Sequence, residues 1–98
     1  MTSKKQDSQW YVYILECGDG TYYTGMTDDL QRRFAQHQNG TGAKYTRGRG
    51  PLNMVYWETV ATRSDALRRE YAIKHMTRAD KIALIRKGER ENAFSGHS

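Results

Sequence analysis

Cysteine is almost missing from this chain: Cys17 stands alone among 98 residues. It has no partner for an intramolecular disulfide and cannot build a multi-cysteine zinc site, so a reducing cytoplasm is the expected compartment. Long apolar runs are missing too. With 37% hydrophobic residues and a mean hydropathy of −0.93, no stretch approaches the length of a membrane span, and a polar, soluble protein is expected. The N-terminal "MTSKKQDSQ" has no following apolar segment of the kind a secretory signal requires. The histidines His37, His75 and His97 are scattered without ligand spacing. Neither HExxH, GxGxxG, a P-loop nor a usable Ser/His/Asp order occurs, which removes zinc hydrolysis, nucleotide binding and serine-type catalysis from the leading readings.

What is present is positive charge. Sixteen Lys and Arg against eleven Asp and Glu give a net charge of +5 and a pI near 9.5, a balance that favours a polyanionic partner. Between positions 32 and 49 the bases Arg32, Arg33, Lys44, Arg47 and Arg49 occur without an intervening acid. That segment can form a phosphate-facing patch.

The length suits one hydrophobic core. Residues 1–8 are expected to be a disordered N-terminus, 9–88 the domain, and 89–98 a flexible C-terminus. "WYVYILE" is β-branched and aromatic on both alternating faces, as a central strand would be. "GDG" supplies a turn, and "TYYTGM" reads as the returning strand of a hairpin. Thr27 or Asp28 is placed to cap a helix over "LQRRFAQHQ", closed by Asn39 and Gly40. The Gly-rich, basic "GTGAKYTRGRGP" reads as a loop with functional character. "LNMVYWETVA" is the third strand, with Pro51 at its start, where a missing N–H does least harm. Thr62 with Asp65 begins a second helix to about Met76, and Thr77 with Asp80 a third, which Gly88 is expected to end. The fold class is α+β: a three-stranded antiparallel sheet flanked by helices in the order β-β-α-β-α-α.

Trp10, Tyr11, Tyr13, Tyr22 and Tyr23 crowd the predicted hairpin, and tyrosine brings a hydroxyl that needs a partner when buried. With an odd number of residues in the turn, period-two alternation puts Tyr13, Tyr23 and Gly25 on one face. The glycine would leave room there for a backbone or ligand; plain core packing is the competing explanation for the tyrosines. Arg33 and His37, four apart, share the edge of a buried stripe marked by Leu30 and Phe34. Glu70 falls among Ala66, Leu67 and Ile73 on its helix, where a carboxylate needs compensation by Arg or a metal. One carboxylate completed by water and phosphate oxygens is a reasonable seat for a single Mg²⁺.

Tyr11-Val12-Tyr13, then Tyr23-Thr24-Gly25, then Arg33 and His37 in "RFAQH" and Glu70 in "ALRREYAIKH" together resemble the GIY-YIG nuclease superfamily. The likeness is greatest to its small stand-alone bacterial branch related to structure-specific endonuclease subunits. It spans about residues 10 to 86. Two positions depart from the pattern: Tyr11 stands where the first motif has glycine, and Thr24 where the second has isoleucine. Both are positions of backbone fit and packing. The resemblance implies Mg²⁺-dependent hydrolysis of DNA phosphodiester bonds, with Mn²⁺ able to substitute and a role in repair or recombination. It implies that Glu70 holds the metal, Arg33 neutralises phosphate charge, and Tyr13 or Tyr23 positions or deprotonates the attacking water, with His37 as a relay. Gly25, Lys44, Tyr45, Arg47 and Arg49 would contact DNA with little sequence specificity, favouring flaps, nicks, branches or single strands. A protein partner could supply targeting. A non-catalytic nucleic-acid-binding module and a protein-interaction domain are the alternatives.

Overall fold

A computed structural model describes residues 9–42 and 46–96, with side chains to Glu89. Residues 1–8 and the loop positions Lys44 and Tyr45 lie outside the described residues. The elements are β1 (Trp10–Glu16), β2 (Tyr22–Thr27), α1 (Leu30–Gln38), β3 (Asn53–Val60), α2 (Arg63–Lys74) and α3 (Arg78–Gly96). The three strands form one antiparallel sheet in the order β2-β1-β3, so the α+β class and the β-β-α-β-α-α order stand as expected.

The middle place of β1 explains its composition. Val12, Tyr13, Ile14 and Leu15 are all fully buried, because both faces of the sheet are covered and no position on the central strand can be polar cheaply. Val12 and Ile14 pack with Ala66 and Ile73 of α2 and Ile85 of α3. Tyr13 and Leu15 face the other way and pack with Leu30 and Phe34 of α1, Leu52 and Met54. A register shift lets one extra residue into β3, since Ile14 pairs with Tyr56 but Leu15 with Met54. The bulge turns both Val55 and Tyr56 towards the α2/α3 layer and gives Met54 to the α1 layer.

The caps hold the helices at their expected places with one correction. Asp29, rather than Thr27 or Asp28, caps α1, its carboxylate accepting from the Arg32 amide at 3.1 Å. Thr27 still belongs to β2, and its hydroxyl instead accepts from the Asp29 N–H at 3.1 Å. Thr62 accepts from the Asp65 amide at 3.0 Å and Thr77 from the Asp80 amide at 3.1 Å, each satisfying an otherwise unpaired donor at a helix start.

Gly88 does not end α3, whose backbone stays helical to Gly96. The glycine serves close packing instead: a Cβ there would fall 2.8 Å from Cδ1 of Tyr56.

Thr24, on β2, carries a polar atom into the interior at a cost. It is 3% exposed, and among the described residues its hydroxyl has no hydrogen-bond partner.

Candidate active site

The turn between β1 and β2 runs over residues 17–21, so the sheet register pairs Tyr13 with Gly25 and Leu15 with Tyr23. Tyr13, Tyr23 and Gly25 therefore share a face, as alternation requires. The glycine's role is different from that expected. A Cβ at Gly25 would lie 2.5 Å from the Tyr13 hydroxyl oxygen and 3.0 Å from Cε2 of Tyr23. The space it leaves is taken by the two tyrosine rings rather than kept open for phosphate.

Helix α1 brings its buried edge down onto these rings. His37 is 2% exposed and meets both tyrosines edge-on, with ring centroids 5.8 Å from Tyr13 and 5.3 Å from Tyr23. The Tyr13 hydroxyl and His37 Nε2 are 2.8 Å apart, and His37 Nδ1 lies 2.9 Å from the hydroxyl of Thr46. Arg33, one turn earlier on α1, acts on both tyrosine hydroxyls and donates to Gln36 Oε1 at 3.0 Å. Tyr13, His37 and Thr46 thus form one continuous hydrogen-bonded chain in which the His37 tautomer sets which group donates at each link.

Electrostatics keep this chain neutral at His37 and at the phenols. Burial, reinforced by the nearby Arg33 charge, pulls the His37 imidazole down to about 4. Burial pushes Tyr13 up to about 12; hydrogen bonding from Arg33 opposes the rise, and the charges of Tyr23 and Glu70 add to it. Tyr23 is also raised, by burial first, with the Arg33 charge opposing and that of Glu70 adding. Neither phenol is ionised at neutral pH, and neither becomes so without a further positive charge.

Glu70 comes from α2, which packs along β2 and β1. Its charge is felt by both tyrosines, and its side chain is 21% exposed. The stripe that was expected to surround it is shifted: Ala66 and Ile73 are fully buried, but Leu67 is 45% exposed. Glu70 thus sits at the rim of the buried face, not in its middle. A cation already compensates it, since Lys74 Nζ approaches Glu70 Oε2 to 3.8 Å. Among the described residues no group of three or more His, Cys, Asp or Glu side chains is placed to hold a metal ion. The carboxylate of Glu70 is a single hard-oxygen donor.

The structure therefore gathers Tyr13, Tyr23, Arg33, His37 and Glu70 from four separate elements into one cluster. The basic loop divides. Arg47 is exposed, whereas Arg49 is engaged with Asp19 in the β1–β2 turn, Nη1 to Oδ2 at 2.5 Å. The backbone makes the same junction, Gly18 N–H donating to the Arg49 carbonyl at 2.6 Å. Two contributors were not foreseen from the sequence. Thr46 is buried against His37, and Gly42 passes so close that a Cβ would lie 2.7 Å from His37 Nδ1. Neither has a local signal, because both contacts arise from how the loop folds back on α1.

The chain is similar to known proteins over most of its length. The family model described as the GIY-YIG catalytic domain matches residues 9–83. A UPF0213 protein of Halobacterium salinarum is 57% identical over 75 residues, covering 76% of this chain and 97% of that protein. One from Cupriavidus pinatubonensis is 52% identical over 83 residues, covering 85% and 92%. Among solved structures, the solution NMR structure of a UPF0213 protein from Bacillus halodurans shares 49% identity. It aligns with a TM-score of 0.54 over 82% of this chain and 86% of that one. A protein from E. faecalis shares 40% identity, with a TM-score of 0.58 over 89% and 90%.

Proposed function

Since the chain belongs to the GIY-YIG catalytic-domain family and to its small UPF0213 branch, we propose that it is a Mg²⁺-dependent DNA endonuclease of low sequence specificity. The domain implies endonuclease activity in general; the metal, the DNA forms and a cytoplasmic role in repair or recombination are the proposed part. The convergence of Tyr13, Tyr23, Arg33, His37 and Glu70 on one cluster carries the reading.

In this reading the residues divide by accessibility. Tyr13 is fully buried with its hydroxyl bound to His37, so it positions its neighbours. Tyr23 is only half-buried, and of the two phenols it is the one assigned to an attacking water. Because burial keeps the phenol protonated, Tyr23 orients the water by hydrogen bonding, and proton loss from the site depends on the positive field of Arg33. His37 is held neutral and keeps the Tyr13 hydroxyl directed, as a relay between Tyr13 and Thr46. Arg33 also faces the charge that builds on the non-bridging phosphate oxygens.

Glu70 fits Mg²⁺. It offers one partly sheltered carboxylate that already draws an ammonium group to it, and Mg²⁺ commonly binds through one or two carboxylates while keeping water and phosphate oxygens as its other ligands. Mn²⁺ would occupy the same donor. When bound, the ion polarises the phosphate and stabilises the leaving oxygen. Exposed Arg47, with Lys44 and Tyr45 beyond the described residues, is assigned to the DNA backbone. Such contacts set register without reading sequence.

A panel of end-labelled linear, nicked, flap and single-stranded DNAs, incubated with Mg²⁺ or with chelator, tests the proposal. Internal cleavage of at least one form is expected with Mg²⁺ and none with chelator. Binding without cleavage of any form would return the chain to a nucleic-acid-binding module.

A further inference from the structure

Helix α2 spends large apolar side chains where water reaches them. Leu67 is 45% exposed and Tyr71, one turn further on, 66% exposed, although a solvated helix face is ordinarily polar. The two are not scattered at random. Leu67, Glu70 and Lys74 follow each other at intervals of three and four, so they form one stripe, and Tyr71 lies beside it. The exposed apolar surface therefore borders the carboxylate assigned above to the metal.

Two further observations bear on what that surface meets. The Tyr71 ring is held in place: it stacks on His75 with ring centroids 4.1 Å apart and planes inclined by 34°. His75 is itself fixed to the helix through Nδ1, 2.8 Å from the Tyr71 carbonyl oxygen. One face of the tyrosine is occupied and the exposure belongs to the other. Beside the ring on the same helix Lys74 is 54% exposed, while Arg63 at the start of α2 lies over the Trp10 ring and Arg78 of α3 over the Tyr22 ring. The acid on α2 outside the stripe, Asp65, is paired with Arg68 at 2.6 Å. A ring backed by His75 on one face, with an exposed ammonium beside it on a chain of net charge +5, has the character of a stacking platform for nucleobases rather than of a protein contact.

We infer that Tyr71, backed by His75 and flanked by Leu67 and Lys74, stacks an unpaired nucleobase of the substrate strand beside the cleaved phosphate. The inference rests on the nuclease reading and adds to it a source of preference for flaps and single strands over intact duplex. Stacking needs a base free of its own neighbours, and a paired, stacked base does not offer one.

The test is binding in chelator, where cleavage is silent, by fluorescence anisotropy on a 5′-flap, a single strand and a blunt duplex of the same sequence. Tyr71→Ala is expected to weaken the flap and single-strand complexes about tenfold, while leaving the duplex complex unchanged. Tyr71→Phe, which keeps the ring, is expected to bind as wild type does. 2-Aminopurine in the unpaired segment is expected to be quenched by wild type and Tyr71→Phe but not by Tyr71→Ala. The side chain is mostly exposed, and an unchanged thermal midpoint verifies that the variants fold. Unaltered binding by Tyr71→Ala, or equal weakening on all three DNAs, overturns the assignment of Tyr71 while leaving the nuclease reading intact. Failure of wild type to bind any of the three overturns the nuclease reading itself.

Discussion

His37 sits in an environment far from that of a free side chain, and the departure has a measurable sign. Its folded value is about 4 against 6.5 for the exposed group. Between those values the unfolded chain binds more protons than the native one, so stability is full above pH 6.5 and falls as pH drops through about 4. Urea unfolding at a series of pH values is expected to give a steeper loss in this window for wild type than for His37→Gln, which has no proton to take up. Equal slopes in the two proteins would place the loss elsewhere. The same burial that makes His37 pH-sensitive keeps it neutral at physiological pH, so the site orders its tyrosines through hydrogen bonds and not through an imidazolium charge.

At the scale of elements, Gly88 gives the sharpest test of packing against propensity. Replacing glycine by alanine inside a helix ordinarily stabilises by about 1 kcal/mol. Here the new methyl would lie 2.8 Å from Cδ1 and 3.0 Å from Cε1 of Tyr56. The ring is restrained because its hydroxyl donates to Glu58 at 2.5 Å, and Glu58 is gripped by Arg69 of α2 at 2.6 Å. Gly88→Ala is therefore expected to lower stability by about 1–3 kcal/mol, read from denaturant unfolding, as overpacking does. A higher midpoint would mean that Tyr56 retreats freely. Gly88 also marks the limit of what was legible. Strand alternation, turn residues and Thr caps sufficed for the order of elements, because each of these signals acts within a few residues. A glycine in a helix reads as a stop unless its neighbour across the fold is known. Leu67 was misplaced for a related reason. Helix α2 has few apolar side chains among its arginines, and it is the position of β2 beneath it, not its own periodicity, that decides which flank is buried. In the site, Tyr13, Tyr23, Arg33, His37 and Glu70 were legible as a motif. The partnership of His37 with Thr46 and the pairing of Arg49 with Asp19, 30 residues apart, belong to the folded loop alone.

For the whole molecule, the sheet works as a partition. The layer of α2 and α3 packs on one face and α1 on the other, while α2 lies along β2 and so brings Glu70 to the tyrosines of the opposite face. No described helix is long and apolar enough to cross a membrane, and the charge of +5 suits a polyanion gathered without regard to sequence. Of the five groups that four elements bring to the site, Glu70 is the one assigned to the metal. The most direct measurement is the single-turnover cleavage rate, in Mg²⁺, of the DNA form that wild type cuts best, compared between wild type and Glu70→Gln. The account predicts a fall on the order of a hundredfold or more, with DNA binding and thermal midpoint unchanged. Cleavage by Glu70→Gln at the wild-type rate would contradict it.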